Sequence, residues 1–135
     1  MLDFARKAVQ LGKDSPNLPW FQMALGMAEF RNGHFAEADA RLSTAANIGM
    51  GNQYVTGTSP FYRAMSLFQQ GKEAEARQLA MAAAAKMKPL PKDENNPLAG
   101  DADHDDLILW LAYKEAEAMI KFEAAPPRKA EKDKK

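Results

Sequence analysis

Residues 20–48, WFQMALGMAEFRNGHFAEADARLSTAANI, determine the fold that the sequence predicts. In the first half, apolar residues recur at steps of three and four, which puts them on one face of a helix. The second half repeats this spacing, and Asn32-Gly33 is a turn signal between the halves. We therefore expect a helical hairpin, which needs neighbours because it cannot bury its apolar faces alone. The two apolar series are Trp20, Met23, Met27 and Phe30, then Phe35, Ala38, Leu42, Ala45 and Ile48.

The order of residues in this hairpin resembles the tetratricopeptide (TPR) repeat family. The resemblance rests on a Leu-Gly pair, aromatic residues on both sides of a turn glycine, and a spaced Ala, Leu, Ala series: Leu25, Gly26, Phe30, Gly33, Phe35, Ala38, Leu42 and Ala45. A TPR repeat is about 34 residues long, so a second copy should follow. The matching residues downstream are Ala64, Phe68, Gly71, Ala76, Ala80, Ala83 and Pro89.

The two copies differ from the repeat pattern in length and at two charged positions. Gly33 and Gly71 are 38 residues apart, and we expect the extra residues to form a loop at 51–58. The next helix should then be capped by Ser59, with Pro60 at its first position. Glu29 and Arg63 stand where TPR repeats usually have apolar residues.

The resemblance implies an all-α domain, residues 1–124, built as a TPR-like antiparallel stack of helix hairpins. We expect a partial repeat helix at 2–12, repeats at 19–49 and 59–88, a capping helix at 105–123 and a disordered tail at 125–135. Helix 2–12 resembles the second helix of a repeat whose first helix is missing. We therefore expect a fragment of a longer protein; the alternative is a natural N-terminal helix that covers the first hairpin.

Residues 96–120 resemble the C-terminal end of TPR regions in large bacterial serine/threonine-kinase-like proteins. This resemblance implies a bacterial origin but no kinase activity, because no kinase motif is present. The phosphate-binding, nucleophile-elbow and zinc-protease motifs are absent as well, so we expect no enzyme and no cofactor.

Composition further restricts the function. The 135 residues carry zero formal net charge and no cysteine, which argues against generic attraction to nucleic acid or anionic membranes and against disulfides. The N-terminus does not have the pattern of a signal peptide. The longest apolar run, Leu107 to Ala112, is far shorter than the ~20 residues of a membrane span. We expect a cytoplasmic protein that binds neither nucleic acid nor membrane.

The only cluster that resembles a metal site is the acidic segment 101–106, DADHDD. Its spacing is similar to the start of a calcium loop, but such a loop requires Gly at its sixth position and Glu at its twelfth. This chain has Asp106 and Ala112 there. Helix capping explains the segment more simply, and we expect no metal. His34 lies in a hairpin turn, where a polar residue needs no function.

The candidate site is an apolar stripe on the first helix of each predicted pair. In TPR proteins these helices line a concave surface that binds peptides or helices, and flexible Met beside rigid aromatics suits such a surface. The same stripe could instead be core, and the helix at 107–122 could fill the groove. Met23 and Met27 argue against a charged clamp for a peptide carboxylate. The predicted peptide-binding residues are Trp20, Met23, Met27, Phe30, Phe61, Met65 and Phe68.

Three functional hypotheses remain open at this stage. The first is a module that binds an unidentified protein or peptide through the groove. The second is a structural capping part of a longer TPR solenoid, without a ligand of its own. The third is a homodimer formed through the helix face left bare at Phe4, Ala8 and Leu11.

Overall fold

The computed structural model describes residues 2–87, 93–97 and 103–122, and all regular structure in these ranges is helical. The predicted all-α class is therefore confirmed, while the match to TPR geometry remains a prediction. The predicted tail at 125–135 lies outside the described residues, as does Pro89. The helices are α1 (Leu2–Leu11), α2 (Leu18–Arg31), α3 (Phe35–Ile48), α4 (Gln53–Gln69), α5 (Glu73–Ala85) and α6 (His104–Ile120).

Successive helices from α1 to α5 run antiparallel. The turns after α2 and α4 contain Gly33 and Gly71, whose φ angles of +80° and +84° favour glycine. Gly26 brings α2 close to α3, since a Cβ there would lie 2.5 Å from Cγ of Leu42. The stack is thus a series of hairpins, α2–α3 and α4–α5, with one further helix at each end.

Helix α6 lies parallel to α4 and antiparallel to α5. Early in both helices, Gly57 lies beside Leu109, and later Phe61 contacts Tyr113 with ring centroids 5.8 Å apart. At the other end of α6, Nη1 of Arg77 in α5 donates to the carbonyl of Ile120 over 3.0 Å. The even-numbered helices therefore run in one direction and the odd-numbered helices in the other.

The prediction of a loop at 51–58 is wrong, because α4 begins at Gln53. The Asn52 side chain caps this start by accepting from the backbone N–H groups of Tyr54 and Val55 over 2.9 and 3.2 Å. Pro60 consequently lies inside the helix and not at its first position. A proline inside a helix removes one backbone hydrogen bond. Packing of the turns before Pro60 offsets this loss, since Val55 in those turns is fully buried.

The core extends from α2 to α6 along the stack and continues to Phe122. Alanines let neighbouring helices approach closely, and Ala38, Ala45, Ala76 and Ala80 are completely buried. Larger side chains fill the remaining space. The largest fully buried apolar residues are Phe61, Leu25, Leu42, Met65, Ile120 and Val55.

Candidate functional site

The structure divides the predicted peptide-binding stripe into buried and accessible residues. Trp20, Met27 and Phe68 are partly buried against the core and keep some accessible surface. The other four residues are buried, so their assignment to an open surface is corrected to the core: Met23, Phe30, Phe61 and Met65.

The chain's own helix α6 covers the stripe on α4. The Phe61 ring contacts the Tyr113 ring edge-on and stacks on Phe122 with centroids 6.3 Å apart. Tyr113 and Phe122 also contact each other, at 5.8 Å. These three rings form an aromatic cluster of the kind that stabilises cores beyond the burial of area alone. A partner therefore has no access to Phe61 in this conformation.

An arginine at the end of α2 joins α6 to the rest of the stack. The Arg31 guanidinium makes a two-bond ion pair with the Glu115 carboxylate, at 2.5 and 2.7 Å. It also lies over the rings of Phe30 and Tyr62, 5.5 and 5.6 Å from their centroids. Its hydrogen bond to Glu115 raises the pKa of Arg31 above its already high ordinary value, so this group stays charged.

Tyr62 lies at the centre of this contact and is buried. Arg31 Nη2 donates to its hydroxyl oxygen over 3.3 Å. Burial raises the pKa of Tyr62, and the nearby Glu115 charge raises it further, although Arg31 acts in the opposite direction. Sequence reasoning missed this group of residues, because their separation along the chain gives no sign that they meet.

The two charged departures from the repeat pattern both form ion pairs between neighbouring elements. Glu29 is 3% exposed, with Oε1 lying 2.7 Å from Nδ1 of His34 and 3.6 Å from the guanidinium of Arg6 in α1. Arg63 in α4 pairs with Asp39 in α3 at 2.8 Å. A buried carboxylate requires such partners. His34, predicted to be an ordinary turn residue, therefore contacts a buried acid.

Helix α1 has an apolar face wider than the surface that α2 covers. Gly12, just after α1, contacts the Phe21 ring of α2. Ala5 and Val9 lie on the same side of the helix as Gly12, because they are seven and three residues before it. Phe4 and Leu11 lie seven residues apart on the adjoining side and are 81% and 78% exposed. No residue of α1 is fully buried. This bare side is the most exposed apolar helix face in the described part of the chain.

The other end of the stack also has an exposed apolar face. Ile108 and Leu111 of α6 are 37% and 51% exposed. Leu111 lies on the side of α6 that faces away from Ala116, which packs into the core, and Ile108 lies one turn before Ala112 at the edge of the buried side. We call the exposed sides of α1 and α6 the α1 face and the α6 face; the first contains Phe4 and Leu11, and the second contains Ile108 and Leu111.

A cleft of about 220 Å³ lies where α4 begins, α5 ends and α6 begins. Tyr54, Gly57 and Leu109 supply apolar surface, and Lys86 and Asp106 supply charges of opposite sign. The cleft combines apolar and polar groups as small-molecule sites do, but it is smaller than the usual range for such sites.

The acidic segment before α6 acts as a helix cap. The Asp103 side chain accepts from the backbone N–H of Asp106 over 3.0 Å, and the Asp106 side chain accepts from the backbone N–H of Asp103 over 3.1 Å. This reciprocal pair is a capping box. Asp101 lies outside the described residues, and within 2–87, 93–97 and 103–122 no three His, Asp or Glu side chains converge on a metal position.

The helices in the described part of the chain all lack the length and apolar character needed to cross a membrane. Comparison with known proteins gave no match to a protein-family model, to a curated protein or to a solved structure. The exposed surfaces of this chain are therefore the remaining guide to its function.

Proposed function

We propose that this protein is a TPR-type protein–protein interaction module that binds a helix of its partner on the α1 face. The observation that carries the proposal is the exposure of Phe4 and Leu11, which are 81% and 78% exposed. The neighbouring side of the same helix packs against α2. Burial of a side chain of this size contributes about 1.5–3 kcal/mol. A partner helix that covers both residues therefore gains a substantial driving force.

The spacing of the two residues supports a helical partner. Scattered exposed apolar residues are normal on protein surfaces. Phe4 and Leu11, however, are separated by two helical turns on one side, which presents a row that a second helix can pack against. Lys7 lies between them and provides a charged contact beside the apolar row.

Trp20, Met27 and Phe68 are a secondary candidate contact region on α2 and α4. They are the accessible remainder of the predicted stripe, and Met is adaptable in contacts with different partners. Because each remains partly packed against the core, we assign them a smaller share of partner binding than Phe4 and Leu11.

Site-specific photo-cross-linking tests this proposal. A photoreactive phenylalanine analogue is placed at position 4 or 11 of the full chain, expressed in the native organism, and irradiated. We expect protein adducts from both positions because both lie in the interface. The matched control is position 10, since Gln10 is exposed on the polar side of α1. Equal adduct yields at positions 4, 10 and 11, or none at all, would refute the proposal.

The second candidate is a structural role, as the capping part of a longer solenoid without a ligand. The burial of Met23, Phe30, Phe61 and Met65 favours this alternative, because these residues contribute to the core and not to an open groove. Absence of adducts from positions 4 and 11 in a chain with unchanged helical content would support it over partner binding.

A further inference from the structure

We propose that the partner on the α1 face is a second copy of this chain, which contributes its α6 face. This inference depends on the proposed function and identifies the partner. The contact is head to tail, because the α6 end of one copy meets the α1 end of the next.

Helix direction is the first argument for this pairing. Along the hairpin series, α1 is antiparallel to its neighbour α2, and α6 is antiparallel to its neighbour α5. A helix that continues the alternation on the α6 face must run in the direction of α1, α3 and α5. A helix that continues it on the α1 face must run in the direction of α6. Two copies stacked end to end satisfy both requirements with one antiparallel contact.

Apolar surface is the second argument. The α1 face presents Phe4 and Leu11, and the α6 face presents Ile108 and Leu111, so each supplies two large side chains. Antiparallel helices that interdigitate such rows remove both from water. The contact would extend the core of each copy into the next.

Charge is the third argument. Antiparallel packing brings the start of α6, with Asp103 and Asp105, to the end of α1, where Lys13 is exposed. Opposite charges therefore meet at this end of the contact, which favours a register set from the start of α6, the longer of the two helices.

A symmetric pair of α1 helices is less favourable. Lys7 lies between Phe4 and Leu11 on the same side of the helix, so a twofold axis through this side would bring two Lys7 side chains together. Like charges in an interface disfavour association. The head-to-tail contact does not place Lys7 opposite its own copy, and because it does not use the same patch twice it can repeat to give longer assemblies or rings.

Two single variants of the full chain test the pairing by light scattering over a concentration series. We expect the mass of the wild-type protein to rise with concentration above the 14.9 kDa of one chain. Leu11→Glu removes the α1 face and Leu111→Glu removes the α6 face, so each variant alone should stay monomeric. An equimolar mixture should form a dimer of about twice the 14.9 kDa chain mass and nothing larger, because each variant retains the face that the other lacks.

Controls separate loss of association from loss of folding. Both leucines are exposed, so circular dichroism should show unchanged helical content. Gln10→Glu changes a side chain on the polar side of α1 and should leave the mass series unchanged. The milder Leu11→Gln and Leu111→Gln replace either variant whose helical content falls.

Three outcomes would overturn the inference: a monomeric wild-type protein at every concentration, a mixture of the variants that stays monomeric, or association that survives Leu111→Glu but not Leu11→Glu. The last outcome identifies a symmetric α1 pair. Adducts from position 4 to a different protein, found with a monomeric wild type, would support the proposed function while rejecting the second copy as partner.

Discussion

At the residue scale, the fold depends on charged side chains at positions where the repeat pattern has apolar ones. Glu29 and Arg63 are each satisfied by a partner on a neighbouring element, His34 and Asp39 respectively. Burial of Glu29 makes its hydrogen bonds obligatory, because an unpaired buried carboxylate is strongly disfavoured. Such pairs fix how neighbouring elements fit together.

We predict that His34→Ala lowers the free energy of unfolding by about 1–3 kcal/mol, because it removes the nearest partner of a buried charged group. Urea denaturation at neutral pH measures the change. The same substitution in a Glu29→Gln background should cost clearly less, since the buried charge is then gone. Equal losses in both backgrounds would show that the two side chains are not coupled.

Tyr62 makes stability depend on pH in the alkaline range. Its pKa is raised in the folded state, so folding favours the protonated phenol. The stabilisation is therefore complete below the ordinary tyrosine pKa of about 10 and is lost as the pH rises through the folded-state pKa.

We predict that Tyr62→Phe, which has no phenol to ionise, loses less stability between pH 8 and the alkaline range than the wild-type protein does. Urea midpoints at a series of pH values test this. Parallel decline of the two proteins above pH 10 would contradict the assignment to Tyr62.

Residue contacts of this kind could not be predicted from the sequence. Helical spacing indicates which side chains share a face, but it does not indicate which residue of a distant helix they meet. Arg31 and Glu115 are the example, since the helix containing Glu115 follows three intervening helices. Glu29 could be recognised as unusual, but its pairing with His34 required the geometry of the turn.

At the scale of elements, the sequence predicted the helical hairpins well because their information is local. The turn glycines and the three-and-four spacing are both read within a few residues. The start of α4 was predicted incorrectly for the same reason. Ser59-Pro60 is a stronger local start signal than Gln53, and the two additional turns are stabilised by packing of Val55 and by the Asn52 cap.

Helix contacts predict opposite outcomes for two glycine substitutions in helix interiors. Gly26→Ala should destabilise the protein by about 1–3 kcal/mol, because the new Cβ lies 2.5 Å from Cγ of Leu42 and 3.3 Å from its backbone nitrogen. Gly57→Ala is the matched control: its Cβ meets Leu109 at 3.4 Å, an ordinary contact, and alanine favours helix by about 1 kcal/mol.

Thermal unfolding of both variants measures the difference. We expect a lower melting temperature for Gly26→Ala and an unchanged or higher one for Gly57→Ala. A stable Gly26→Ala protein would show that α2 and α3 can move apart at little cost, contrary to the close approach described above.

At the scale of the whole molecule, exposure and not periodicity distinguishes candidate interaction residues from core residues. Phe61 and Phe4 both lie on apolar helix faces, yet Phe61 is fully buried and Phe4 is 81% exposed. The difference comes from α6, which packs on α4 but not on α1. The sequence indicated an apolar face on α1 that could be left bare, but it did not indicate which part of the predicted groove α6 covers.

Hydrogen exchange measured by mass spectrometry at low and high protein concentration tests the central claim, that the two end helices are protein-binding faces used between copies. Association stabilises the helices at the contact by mass action and slows exchange of their amides. We predict slower exchange in α1 and α6 at the higher concentration, with no change in α3. Exchange in α1 that is independent of concentration, or protection that rises equally in all helices, would contradict the claim.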